Sequence, residues 1–224
     1  MKLKFTTLNA AFLLLFAFTA CDRVEKGDKA TITEEQLAAS ATGQSYTVDT
    51  ADSHVRFIGY GVGKNHPGRF KVQSGNVAVQ NDRITGGNFI INIRGMEIEQ
   101  KESKYQEKLR PHLLSGDFFD AEKFGTAKFE ITGVQPYKPG DKDSSIVQGA
   151  NFNVSGNLTI KDVTRNIAFP AFIEMDENKL KAKADFDIDR TQWRINYGND
   201  KTLGDSFISE KVNIELDLVA SKSQ

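Results

Sequence analysis

Few side chains in this chain are spaced to do chemistry. His54, His66 and His112 form neither a His-x-His nor a His-x-x-x-His pair, so no two imidazoles share one strand or helix face as metal ligands. The chain holds 1 Cys, which excludes an internal disulfide and any site built from several thiolates. No Gly-x-Ser-x-Gly elbow occurs, which removes one hydrolase signature. Asp185, Asp187 and Asp189 invite a calcium reading, but they alternate with Phe186 and Ile188. Alternation strings carboxylates along a strand instead of gathering them round a loop. Gly86-Gly87 has no phosphate-loop context. These residues predict no catalytic set, no metal and no cofactor. What remains is a stock of 16 Phe against 1 Trp, together with Arg56, Arg69, Arg94, Arg190 and Arg194. Each of these arginines suits either a donor to a polar ligand group or a solvated outer face.

The elements that would position them are strands. In 180–189, Leu180, Ala182, Ala184, Phe186 and Ile188 alternate with Lys181, Lys183, Asp185, Asp187 and Asp189. Val212, Ile214, Leu216 and Leu218 alternate in the same way with Lys211, Asn213, Glu215 and Asp217. Side chains alternate across a strand, so each ribbon has one dry and one wet face, and a one-residue slip would bury every charge. Similar signals over 54–62, 69–80, 84–94, 126–134, 146–160, 165–175 and 207–220 make about eight antiparallel strands. Turns are expected at 64–68, at Asn81-Asp82 and at Lys161-Asp162, with a bulge near Gly75-Asn76 and an edge or bulge at Pro170. Residues 99–114 break the pattern: Tyr105, Leu109 and Leu113 recur every fourth residue, so a helical insertion is expected, kinked or restarted at Pro111. Phe118, Phe119 and Phe124 follow it and suit a cap over one end of a barrel. The fold class is therefore all-β, an antiparallel eight-stranded barrel, with a two-sheet sandwich as the rival. An outer-membrane barrel is disfavoured by the absence of aromatic girdles flanking each strand.

The N-terminus reads as an export signal over 1–20: Lys2 and Lys4, then an apolar run too short to span a bilayer comfortably. Phe18-Thr19-Ala20-Cys21 resembles a bacterial lipobox, which makes Cys21 the expected site of acylation and of membrane attachment. Residues 21–44, poor in large apolar side chains, read as a flexible tether, with capping-box spacing at Thr33 and Gln36 allowing a short helix over 34–39. The folded domain is then 45–221. With 29 basic and 30 acidic side chains the net charge is −1, and no basic stripe favours nucleic acid.

Several stretches together resemble the YceI-like family of bacterial envelope proteins. They are 113–124 with Thr126-Ala127-Lys128-Phe129, then 154–165 (Val-Ser-Gly-Asn-Leu-Thr-Ile-Lys-Asp-Val-Thr-Arg), then Asp189-Arg190-Thr191-Gln192-Trp193, and the closing strand 208–220. Gly125 departs from the family, where Pro is common before the Thr, and the acyl-type signal belongs to only some members. The resemblance implies a lipocalin-like barrel holding a long apolar chain such as a polyisoprenoid or a quinone tail. The expected ligand-binding residues are Phe57, Phe70, Phe89, Ile91, Phe129, Leu158, Phe169, Phe186 and Leu216, any of which would equally serve to fill a dry core. The expected function is non-enzymatic binding, storage or transport of such a lipid in the cell envelope, on the periplasmic or cell-surface face of a membrane, with room for an oligomer. The alternative is a solid-core module acting on a protein partner through loops 136–145 and 190–205.

Overall fold

The computed structural model describes residues 27–138 and 145–223. The wall consists of β4 (His54–Gly61), β5 (Lys64–Gln80), β6 (Arg83–Ile98), β7 (Thr126–Pro136), β8 (Phe152–Ile160), β9 (Val163–Met175), β10 (Lys179–Asp189) and β11 (Ile208–Lys222). Each pairs antiparallel with the next, and β11 returns to β4, so the eight strands close an up-and-down barrel. Closure removes the exposed edges that so many alternating strands would otherwise present. Three short strands complete it: β1 (Asp28–Lys29), β2 (Thr31–Thr33) and β3 (Gln44–Val48). The last sits between β11 and β5, beyond the end of β4.

The alternating pattern lands where expected. Leu180, Ala184, Phe186 and Ile188 are buried in the same core as Leu218 and Ala220. Asn81 and Asp82 both take positive φ, 52° and 57°, as a two-residue type I′ hairpin turn requires, and Lys161 turns the β8–β9 hairpin at 56°. The register of β5 on β6 shifts between Val72 and Ser74, so the extra residue is Gln73, just before the expected bulge. Pro170 of β9 faces Asn153 of β8, and on its other side falls between the segments that pair with β2 and with β10. The insertion is a π-helical turn, Tyr105–Leu109, running into α1 (Arg110–Leu114) with Pro111 in its first turn, where a missing N–H costs little.

Four expectations need correction. Residues 64–68 are strand, not turn. The chain reverses at Val62-Gly63, and Pro67 is tolerated in β5 because its missing N–H faces Glu99, past the last β5–β6 pair at Gly68↔Ile98; its carbonyl still accepts from the Glu99 N–H at 3.0 Å. The strand expected from Ile146 begins at Phe152. Before it, Ser145 Oγ and the Ile146 N–H donate to the Asp28 carboxylate at 2.5 and 3.1 Å. No helix forms over 34–39, because the Gln36 backbone exchanges hydrogen bonds of 3.0 and 2.6 Å with the Asn157 side chain. Residues 27–44 are no tether: β1 pairs with β10 and β2 with β9. The chain then runs as a belt over β8, β7 and β6, where the Ala39 N–H donates to Ile131 O at 2.9 Å. Low apolar content misled because the belt is held mainly by backbone pairing. The part of the expected tether before Gly27, with Cys21 and the expected signal, lies outside the described residues, as does 139–144 within the expected 136–145 loop.

Candidate functional site

The barrel is hollow. A cavity of about 400 Å³ runs along its axis, with apolar side chains from all eight wall strands facing it. Phe57, Phe70, Phe89, Ile91, Phe129, Leu158, Phe169, Phe186 and Leu216 all stand on its wall. The polar members of the wall are Tyr60, Lys64, His66, Arg190, Asp205, Ser206 and Ser209, which come from the β4–β5 hairpin and from the 190–209 segment. These two elements mark the mouth.

Glycine explains why a barrel so rich in Phe is not packed solid. A Cβ on Gly68 or Gly156 would overlap the rings of Phe57 or Phe129, and one on Gly75 would sit 2.8 Å from Phe89 Cδ1. Each ring therefore lies flat along the wall over a bare stretch of backbone on the neighbouring strand. The rings continue round the lumen. Phe129 tilts against Phe89 and Phe169 with centroids 6.1 Å apart in both pairs, and Phe169 stacks on Phe186 at 4.0 Å. Sequence reasoning named the phenylalanines, and read Gly68 as turn and Gly75 as bulge, but did not set any glycine beside a ring; isolated Gly inside strand patterns was the available signal.

Leu109 and Leu113 from the helical insertion, and Phe118 and Phe119 from the turn after it, join the wall at the mouth. Phe119 packs edge-on against Phe70 at 5.6 Å, and His112, Phe118 and Tyr197 form an aromatic trio with centroids 4.7–5.3 Å apart. Of the three phenylalanines expected to cap the barrel, Phe118 and Phe119 border the cavity and Phe124 does not.

The five arginines have other partners. Arg190, 5% exposed, donates to four backbone carbonyls, those of Ser209, Ile195, Tyr197 and Ile208, at 2.5–3.0 Å. It braces the mouth from inside the wall, and burial lowers its pKa against the opposing pull of Asp189 and Glu210. Arg56 bridges Glu99 and Glu215 at 2.8 and 2.7 Å, and Arg69 also reaches Glu99. The hydrogen bond from Arg56 holds the Glu99 carboxyl below the usual range. Arg94 donates to the carbonyls of Ala121 and Glu122, and Arg194 lies 3.5 Å from Asp162. Arg190 alone of the five stands on the cavity wall.

The Asp185–Asp189 stretch is not the wet face its alternation suggests. Asp187 is 6% and Asn213 0% exposed. Asn213 Nδ2 donates to Asp185 Oδ1 at 2.7 Å and to Asp187 Oδ1 at 3.0 Å. The segment pairing with β10 at Phe186 and Asp187 covers this outer surface, and burial raises the pKa of Asp187. Among the described residues no group of three His, Cys, Asp or Glu is arranged to hold a metal.

Residues 46–220 match the YceI-like domain. A UPF0312 protein of Vibrio vulnificus is 31% identical over 140 residues, a match spanning 59% of this chain and 64% of that relative's length. A UPF0312 protein of Shewanella sp. is 26% identical over 191 residues, 82% of this chain and 88% of the relative. Two solved structures share the fold. BcnA of Burkholderia cenocepacia superposes with a TM-score of 0.60 at 20% identity, over 77% of this chain and 99% of that one. A polyisoprenoid binding domain from Saccharophagus degradans, implicated in plant cell wall breakdown, gives 0.59 at 12% identity, over 80% and 99%.

Proposed function

The chain belongs to the YceI-like family, and from that premise we propose that its barrel is a non-enzymatic binding site for the apolar tail of an isoprenoid or quinone-like lipid. The observation that carries this reading is a lumen walled by hydrocarbon from β4 to β11, with polar side chains confined to one end. Each buried CH₂ contributes about 0.8 kcal/mol, so a five-carbon unit contributes roughly 3–4 kcal/mol. Several units exceed an association cost of about 4–15 kcal/mol without any polar anchor along the tail. The polyisoprenoid binding domain from Saccharophagus degradans shares this barrel and supports that choice of ligand class. Arg190, Lys64 and His66 are the basic side chains on the wall; Arg190 is held by carbonyls and His66 Nδ1 hydrogen-bonds the Gln100 side chain at 3.2 Å.

Acylation of Cys21 and residence in the cell envelope belong to the same proposal and rest on the sequence around Cys21. Labelled fatty acid should enter the parent chain and not Cys21→Ser. For the ligand, the purified protein is extracted with organic solvent and the extract examined by mass spectrometry. The expected result is a prenyl lipid near one per barrel, or saturable uptake of an added isoprenoid alcohol by the extracted protein. Absence of both a bound lipid and uptake of the added alcohol would end the carrier reading.

A further inference from the structure

The shortest direct pairing in the barrel wall is the seam between β9 and β10. β9 and β10 pair directly only from Leu180↔Met175 to Lys183↔Phe172, at the end of the barrel away from the mouth. By contrast, β10 pairs with β11 without interruption from Lys179 to Asp189. Nearer the mouth the two strands part, and the chain's own N-terminal segment fills the space. Asp28 and Lys29 run parallel to Phe186 and Asp187 of β10, and the Ala30 N–H donates to Asp187 O at 3.2 Å. Thr31, Ile32 and Thr33 run antiparallel to Ala168, Ile167 and Asn166 of β9. β1 and β2 thus act as one short strand inserted between antiparallel neighbours. An inserted strand separates its neighbours by two ladder spacings, about 10 Å. A slot of that width admits a hydrocarbon chain lying along it.

Directly behind the insert lies the cavity wall. Ile167 and Phe169 stand on one side of the seam, Phe186 and Ile188 on the other, and the stacked Phe169–Phe186 pair bridges it from within. Ala30, 5% exposed, packs in the same core. We propose that the β9–β10 seam is a lateral portal to the cavity, and that residues 27–33 are its removable seal. The seal is the part of the wall that opens at least cost. Its ladders are two and three residues long, and its outer latch is the Asp28 carboxylate held by Ser145 Oγ and the Ile146 N–H. Sideways admission spares a lipid tail from threading end-on past the helical cap and the charged mouth. This inference rests on the lipid-binding reading above.

The test is a reversible lock. Thr31 and Ala168 are antiparallel partners across the seal, and such partners sit at Cα separations of about 4.5–5.5 Å, which a disulfide spans. Thr31→Cys with Ala168→Cys is made in a Cys21→Ser background, and uptake of a long isoprenoid alcohol from phosphatidylcholine vesicles is timed. Oxidation should slow loading at least tenfold without weakening equilibrium binding, reduction should restore it, and neither single substitution should respond to oxidant. Equal loading rates in the oxidised and reduced forms would overturn the portal while leaving the carrier reading intact. Absence of loading in the parent chain as well would overturn both. A second readout needs no ligand: the Ala30 amide should exchange with deuterium at least tenfold faster than the paired amides of β8 and β9. Equal protection would show a seal that does not open.

Discussion

The glycine–phenylalanine pairs give the sharpest handle on why the lumen is open. Gly156→Ala is the cleanest perturbation, because the three atoms nearest an added Cβ all belong to the Phe129 ring and Gly156 has no positive φ. Relieving the overlap requires that ring to swing off the wall into a cavity of about 400 Å³. Forcing extra volume into a packed wall costs about 1–3 kcal/mol. Replacing a strand glycine by alanine returns about 0.4–1 kcal/mol through the unfolded state. The single substitution should therefore destabilise by about 1 kcal/mol in urea unfolding and reduce the amount of isoprenoid alcohol bound. In a Phe129→Leu background the clash is gone, and Gly156→Ala should turn neutral or stabilising. The two changes should then couple by about 1–3 kcal/mol in a double-mutant cycle. Additive effects, or undiminished lipid binding in Gly156→Ala, would refute the idea that bare backbone keeps the rings out of the lumen.

Substitutions at two further positions probe the polar side of the structure. Asp187 Oδ2 and Asn213 Oδ1 are buried acceptors without a hydrogen-bond partner among the described residues, and Asp187→Asn removes a buried charge while adding a donor beside them. It should stabilise by about 1–2 kcal/mol at neutral pH. Burial raises the folded-state pKa of Asp187, so the parent recovers stability as pH falls through that pKa and the variant's advantage must shrink on acidification; urea titrations at stepped pH showing the advantage growing instead would contradict this. Arg190→Met should cost about 3 kcal/mol and open 190–209 to trypsin, because four carbonyls lose their donor. Arg190→Lys should not restore them, since an ammonium lacks the planar fork; recovery to within about 0.5 kcal/mol would count against the brace.

Much of the barrel was legible because one face of nearly every strand meets hydrocarbon. The alternation in 180–189 and 212–218 fixed which side chains face the axis, and the turns at Asn81-Asp82 and Lys161-Asp162 carried their own chemistry. What was not legible depended on contacts between residues far apart in the chain. Residues 27–44 look like a solvated linker because their partners are the backbones of β6, β7, β9 and β10 and the Asn157 side chain, none of which composition reveals. Asp187 and Asn213 look wet for the same reason. Alternation separates two faces of a strand, but it does not say that the second face meets water. Here the chain's own N-terminal segment lies over it.

The same reasoning separates a hollow barrel from a filled one. The stock of Phe suits either, and the inward positions of Phe57, Phe70, Phe89, Phe129, Phe169 and Phe186 suit either. The deciding quantity is the space beside each ring, and cross-strand register sets that space. Gly68 stands opposite Phe57, and Gly75 opposite Phe89. Gly156 stands opposite Ile131, next along the inward face from Phe129. A β-branched residue at each of these glycines would keep the alternation, the strand count and the turns, and would push three rings towards the axis. The cavity is therefore a property of pairs, and the glycines that a one-dimensional reading treats as weak points of the strands are what leave room for a guest.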